Sequence, residues 1–229
     1  MKKFSDLSES TTETTLSEVV TEESNVTFQP YMIDDPTYMG YSDRELQNAV
    51  YQSTIFGILD NTDTSILDVG CGRGDFGNYI KNELEYTNIK YTGVDLNPLA
   101  IDVGKHKYPE HTASDSFNLI KGNFDSDYPT DIRYDWVFHV TNLTVDYGNF
   151  NGRSRYEYLE SVIRKSLSIA DKGAVFMLLN DNNHAHADLY ITFSFTEISN
   201  ILFRLGYKFA FDNSDFPNVF KLVIFKNTF

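Results

Sequence analysis

Short apolar blocks recur along the chain, and between them the apolar positions change to a spacing of three and four. The blocks at 66–67, 91–94, 116–121, 134–140, 174–179, 207–211 and 219–225 are rich in β-branched and aromatic residues, as strands are. Among them 134–140, Y-D-W-V-F-H-V, reads as a buried central strand. Leu46, Val50, Ile55 and Leu59 fall near one face of a helix opened by a capping box at Ser42-Asp43-Arg44-Glu45. Phe76, Tyr79 and Ile80 mark the inner face of a first crossover helix, and 98–107 suits a second. Tyr158, Val162, Ile163 and Leu167 lie at helical spacing over 155–170, with Lys172-Gly173 as the stop, and 195–205 is a helix stopped by Gly206. Strands alternating with helices imply a parallel sheet. The last two strands, separated only by D-N-S-D-F-P-N, must form an antiparallel hairpin.

The ends of the chain depart from this pattern. Residues 1–27 are rich in Ser, Thr and Glu and poor in large apolar side chains, so they are expected to be a disordered acidic arm. Leu16, Val19 and Val20 are spaced so that this arm can dock as a short helix on a partner protein. Residues 28–41 are aromatic and proline-rich, which suits either a strap packed on the sheet or a lid over a substrate mouth. Residues 42–229 then form one domain without internal repeats. With 41% hydrophobic content in 229 residues, a full core is available. The net charge of −14 opposes binding to nucleic acid and to anionic membranes. A single cysteine, Cys71, rules out an intramolecular disulfide and a cysteine-rich metal site. No apolar run is long enough to span a bilayer, and Met1-Lys2-Lys3 is followed by polar residues, so a cytoplasmic protein is expected.

The chemistry concentrates in residues 65–79, S-I-L-D-V-G-C-G-R-G-D-F-G-N-Y. Strand, tight turn and helix follow one another, and Gly70, Gly72 and Gly74 let a ligand lie against the main chain, facing the unpaired N–H groups of the helix start. The spacing is G-x-G-x-G and not the G-x-G-x-x-G of dinucleotide sites, which argues against a nicotinamide-dependent oxidoreductase. Asp68, two residues before the first glycine, suits an ammonium group and would repel a phosphate. Asp95, at the end of the next strand, can take two hydroxyls of a ribose.

These residues resemble the class I S-adenosylmethionine-dependent methyltransferases. Residues 67–74, L-D-V-G-C-G-R-G, look like the first motif of that family, and 91–97, Y-T-G-V-D-L-N, like the acidic end of its second strand. Gly122-Asn123-Phe124 resembles the stretch that flanks the adenine, with Asn123 in place of the usual acid and its amide oxygen able to accept from the adenine amino group. The resemblance implies a Rossmann-like, seven-stranded, mostly parallel sheet with an antiparallel C-terminal hairpin and helices on both faces. It also implies S-adenosylmethionine as cofactor. Its site would comprise Asp68, Gly70, Cys71, Gly72, Gly74, Asp95, Leu96, Asn123, Phe124 and His139, with a small molecule or a protein side chain as acceptor.

On the acceptor side, His139 at the end of the fourth strand is the candidate general base, the other reading being a histidine tied into the sheet. The Asp/Asn-Pro-Pro-Tyr/Phe stretch of amino-methyltransferases and the Pro-Cys nucleophile of cytosine ring methyltransferases are both missing. A poorly characterised subgroup of bacterial and phage proteins is similar in outline only, at residues 140–144 and 212–220. The alternating Asp181, His184, His186 and Asp188 could share a metal, or form a solvated loop. Arg153, Arg155, Arg164 and Lys165 make a basic cluster that could recruit an anionic acceptor, or a solvated helix face. A catalytically degenerate fold serving as a binding module of a larger, possibly viral, assembly is the alternative to an enzyme. Its marks would be an ordered arm and an acceptor pocket filled by the protein's own side chains.

Overall fold

The structure, a computed structural model, describes residues 35–144, 150, 152–181, 190–216 and 218–226. The expected arm at 1–27 and the first part of the strap lie outside these residues, as do His184, His186 and Asp188. A 3-10 turn at Pro36–Met39 leads into helix α1 (Arg44–Ile55). Then follow β1 (Thr64–Val69), the one-turn α2 (Asp75–Asn78) continued by a π turn at Tyr79–Glu83, β2 (Ile89–Asp95), α3 (Pro98–Lys107) and the short α4 (Pro109–Thr112). The second half contains β3 (Phe117–Lys121), β4 (Tyr134–Val140), α5 (Arg155–Ile169), β5 (Ala170–Asn180), β6 (Thr192–Phe193), α6 (Phe195–Leu205), β7 (Lys208–Asp212) and β8 (Val219–Phe225).

One sheet runs in the order β3-β2-β1-β4-β5-β8-β7, with β6 paired to β5. All pairings are parallel except β5 with β8 and β8 with β7. The two-residue β6 is the eighth strand, added to the seven expected, and it is too short to leave a pattern in the sequence. Successive residues point to opposite faces, so the central strands feed two cores. Leu67, Val137, Phe176 and Phe220 pack with Val162, Ile163, Ile198 and Leu202 on one side. Ile66, Phe138, Val175 and Met177 pack with Val50, Ile55, Phe76 and Ile80 on the other. Both faces are therefore covered, which is why these strands read as continuous apolar runs. Each fully buried Phe or Ile here contributes roughly 1.5–3 kcal/mol.

Three expected boundaries move. Helix α1 ends at Ile55, so Leu59, expected on its face, lies beyond it. The N-cap of α1 is Asp43, whose Oδ1 accepts from the Leu46 amide at 2.8 Å, while Ser42 donates to Asp43 at 3.1 Å. A complete capping box instead opens α5, at Ser154 and Glu157. Lys172-Gly173 does not stop α5, because β5 starts directly at Ala170 and both residues lie inside that strand. Gly173 is there for packing: a Cβ would stand 2.3 Å from the Ile224 carbonyl oxygen and 2.7 Å from the Trp136 ring.

Candidate active site

The strand order reverses between β1 and β4, and ligands of open α/β sheets lie beyond the carboxyl ends of the strands at such a point. A cavity of about 840 Å³ opens there. Its wall brings together Asp68, Gly70, Cys71, Gly72, Asp95, Leu96, Asn123, Phe124 and His139, nine of the ten residues expected to line one site.

Gly74 is the exception. It caps α2 with a φ of 81°, and a Cβ there would meet the Leu119 side chain at 2.8 Å, so it packs the turn onto β3 and stays out of the cavity wall. Gly70 combines a φ of 71° with close approach: a Cβ would stand 2.4 Å from that of Asn142 on the β4 loop. The amides of the glycine loop are not free donors. Those of Gly70 and Cys71 go to the Val94 carbonyl at 2.8 and 3.2 Å, that of Gly72 to Asp95, and that of Gly74 to the Cys71 carbonyl at 2.9 Å. The loop thus contributes room and shape, not the row of N–H groups expected from the sequence. The Cys71 thiol is buried, is pushed up by that burial, and packs at the position where Gly93 has no side chain.

The carboxylates carry the electrostatics. Asp95 is clamped by the main chain, its Oδ2 accepting from the Gly72 amide at 2.7 Å and its Oδ1 from the Asn97 amide at 2.8 Å. Each oxygen keeps a second lone pair for a hydroxyl. Asp68 is 2% exposed; its Oδ2 accepts from the Tyr91 hydroxyl at 2.7 Å, and its Oδ1 has no partner. Burial pushes the Asp68 carboxyl up to about 7. A second buried acceptor, Asn142 Oδ1, is also without a partner. Two unsatisfied acceptors in one wall are costly unless a donor-bearing ligand meets them. An ammonium is such a ligand, and Asp68 and Asn142 fit one.

Asn123 departs from its expected part. Its Oδ1 accepts from the amides of Asp125 and Ser126 at 2.9 and 3.3 Å, shaping the turn after β3, so it is not the amide oxygen that is left to face a ligand. Phe124 is buried, with the Lys165 ammonium 5.3 Å from its ring and His139 edge-on at 5.5 Å.

His139 is 1% exposed and stacked on Phe176 at 4.6 Å. Ser166 spends its own proton on the Val162 carbonyl at 2.8 Å, so His139 Nε2–H must donate to Ser166 Oγ at 2.9 Å. Nδ1 then holds the lone pair and faces the Asn142 amide nitrogen at 3.4 Å. Burial pushes the imidazole down to about 3, so it stays neutral and is a poor proton acceptor near pH 7. The general-base expectation gives way to the alternative, a histidine tied into the sheet.

Two features escaped the sequence reading. Tyr41, at the end of the strap, is buried in the cavity wall, edge-on to Tyr51 at 5.8 Å, and its hydroxyl lies 3.4 Å from Thr141 Oγ1. Thr141 holds a φ of 63°, a strained setting for a β-branched residue, with the Thr144 amide on its carbonyl at 3.1 Å. Under the glycine loop, fully buried Arg73 pairs with Asp75 at 2.7 Å, Lys107 joins Asp75 at 3.1 Å, and the Tyr108 hydroxyl donates to the same carboxylate. Burial works to raise the Asp75 carboxyl, but Arg73 and Lys107 hold it below the ordinary range. Arg73 also donates to the Asp35 carbonyl at 3.2 Å, which ties the strap to the loop. The signal was R-x-D inside the loop, charges where a buried strand meets a helix.

The basic cluster dissolves on folding. Arg153 pairs with Asp125 at 2.8 Å, Arg155 donates to the Thr192 carbonyl at 2.8 Å, Arg164 pairs with Glu160 at 2.9 Å, and Lys165 donates to the Asp125 carbonyl at 3.1 Å. Among the described residues there is no group of three His, Cys, Asp or Glu side chains placed to hold a metal, and no helix long and apolar enough to cross a membrane.

Comparison with known proteins adds a family likeness over part of the chain and a shared fold. Residues 66–162 match a family model described as a methyltransferase domain. No curated protein sequence matches the chain. Among solved structures, the pyocyanin biosynthetic protein PhzM superposes with a TM-score of 0.60 at 14% identity, over 86% of this chain and 61% of that one. The chain thus spans about three fifths of the length of PhzM. The amino pentose methyltransferase CalS10 of Micromonospora echinaspora, solved with S-adenosylmethionine bound, gives 0.58 at 14% identity, over 90% of this chain and 100% of that one. A S-adenosylmethionine-dependent methyltransferase from Aquifex aeolicus gives 0.57 at 14% identity, over 84% and 99%. The matched segment runs from β1 into α5 and carries both acids, Asp68 and Asp95, so this stretch is similar to a methyltransferase domain, and the chain shares its fold with S-adenosylmethionine-dependent methyltransferases.

Proposed function

We propose that the chain binds S-adenosylmethionine in this cavity and transfers its methyl group to a small-molecule acceptor. The observation that carries the reading is the pairing of Asp68, with an unsatisfied oxygen in the cavity wall, and Asp95, clamped with a lone pair free on each oxygen. Asp68 and Asn142 would hold the ammonium of the cofactor, Asp95 its ribose hydroxyls, and Leu96 with Phe124 the faces of its adenine. When bound, the cofactor supplies an already activated methyl group on a sulfonium.

The chain's own residues then align and exclude water. His139 fixes the amide of Asn142 through Nδ1, which turns Asn142 Oδ1 toward a ligand donor and makes His139 a positioning residue. Tyr41 and Tyr51 close the cavity beside the glycine loop. The Tyr41 hydroxyl is raised to about 12 by burial and is no base at neutral pH. An acceptor must therefore bring a nucleophile that needs little help in losing its proton, and alignment is the main contribution of the protein. Among the described residues no side chain fills this cavity, which favours the enzyme over the binding-module alternative.

Calorimetric titration with S-adenosylmethionine and S-adenosylhomocysteine tests the reading. Binding of both with one site per chain is expected. Absence of binding by either ligand removes the cofactor site and the enzyme with it.

A further inference from the structure

The proposed cofactor site uses the β1, β2 and β3 ends of the cavity, which leaves the part over β4, β5 and β8 for the acceptor. That part is made by Tyr41, Thr144, Leu179, Tyr190, Ile191 and Val219. The Ile191 amide donates to the Thr144 carbonyl at 2.8 Å, so the loops after β4 and β5 are joined into one wall. Three of the six side chains are aliphatic, two are phenols and one is an aliphatic hydroxyl. None is ionic.

The charge balance around this wall is one-sided. No Lys or Arg is found among the described residues that line the cavity, whereas Asp68, Asp95 and Asp125 all line it. Of these, Asp125 is paired with Arg153 at 2.8 Å, whereas no Lys or Arg of the described lining stands beside Asp68 or Asp95. Lys165, the other cation nearby, donates to the Asp125 carbonyl and lies over the Phe124 ring. An anion in this half would lose its hydration without gaining a basic partner among the described lining residues, and would face the field of the Asp95 carboxylate.

We propose, on the basis of the cofactor reading above, that the acceptor is an uncharged small molecule with an apolar body and that phosphate- or carboxylate-bearing acceptors are excluded. The hydroxyls of Thr144, Tyr41 and Tyr190 provide the polar contacts, and the aliphatic wall of Leu179, Ile191 and Val219 takes the apolar body.

Two probes of matched shape test it: tyrosol, which is uncharged, and 4-hydroxyphenylacetate, its anionic counterpart. Each is titrated by calorimetry at pH 8 into the full chain saturated with S-adenosylhomocysteine. Tyrosol is expected to bind at least tenfold more tightly than the acetate. Equal or tighter binding of the acetate overturns the inference, and so does failure of both probes to bind. In a Tyr190→Lys variant, acetate affinity is expected to rise at least tenfold; an unchanged value in a variant that melts like the wild type also overturns the assignment of this wall. The two readings fail separately: no saturation by S-adenosylhomocysteine refutes the cofactor site, whereas saturation with the wrong charge preference refutes only the acceptor class.

Discussion

Replacing Asp68 by Asn removes a charge from a closed environment while keeping the shape. The carboxyl ordinarily titrates at 3.8 and is raised to about 7 in the folded chain, chiefly because burial disfavours the ionised form. The folded state therefore holds a proton that the unfolded state has released. The stability this provides is fully present below pH 3.8, declines as pH rises, and is gone above about 7. At about 1.4 kcal/mol per pH unit, ionising Asp68 in the ligand-free protein costs on the order of 4 kcal/mol. Asp68→Asn escapes this cost and still offers an oxygen to the Tyr91 hydroxyl, so at pH 8 the ligand-free variant is expected to be more stable by a few kcal/mol, with the gap closing toward pH 4. Urea unfolding at a series of pH values reads this directly. Cofactor affinity moves the other way. If the ionised carboxylate receives the ammonium, affinity for S-adenosylhomocysteine weakens toward tenfold per unit below pH 7 in the wild type and has no such slope in Asp68→Asn. Equal stability of the two proteins from pH 4 to 8, together with parallel binding curves, would refute the reasoning.

Thr141→Gly relieves the φ of 63° and is expected to stabilise the chain by about 1 kcal/mol in thermal melts, while loosening Tyr41 and weakening ligand binding. Asp75→Ala strands the fully buried Arg73; about 3–5 kcal/mol should be lost in denaturant unfolding, with faster hydrogen exchange at residues 35–41, and near-wild-type stability would contradict the network. Gly70→Ala pushes a Cβ to 2.4 Å from that of Asn142, so both stability, by about 1–3 kcal/mol, and cofactor binding should fall. His139, pushed from 6.5 down to about 3, contributes stability that is present above pH 6.5 and lost as pH falls toward 3; His139→Gln should flatten that part of the urea-derived stability profile.

Much of the architecture could be read from periodicity because both faces of the sheet are buried. Strands such as 134–140 keep their apolar signal undiluted by solvent-facing variation, and the structure places β4 on those residues and α3 on the expected 98–107. The candidate cofactor residues were legible through spacing, since Asp68 and Asp95 end parallel neighbours that must present their carboxyl ends together. What sequence could not supply was partnership. Whether the glycine-loop amides were free depended on the Val94 carbonyl, whether His139 was a base depended on Ser166 and Phe176, and whether four basic residues made a patch depended on Asp125 and Glu160. Apart from Glu160, which meets Arg164 as a local i,i+4 pair, each of those partners is more than twenty residues away, and no local pattern encodes the encounter. Tyr41 was visible as one of many aromatics in the strap, but its place in the cavity wall follows from the anchoring of Asp35 on Arg73.

The most direct test of the account is a crystal structure of the full chain with S-adenosylhomocysteine. The account predicts the ligand's ammonium within hydrogen-bonding distance of Asp68 or Asn142, its ribose hydroxyls on Asp95, and its adenine between Leu96 and Phe124, with the space over β4, β5 and β8 left open. A ligand bound elsewhere, or one bound here while both Asp68 Oδ1 and Asn142 Oδ1 stay without a partner, would contradict it.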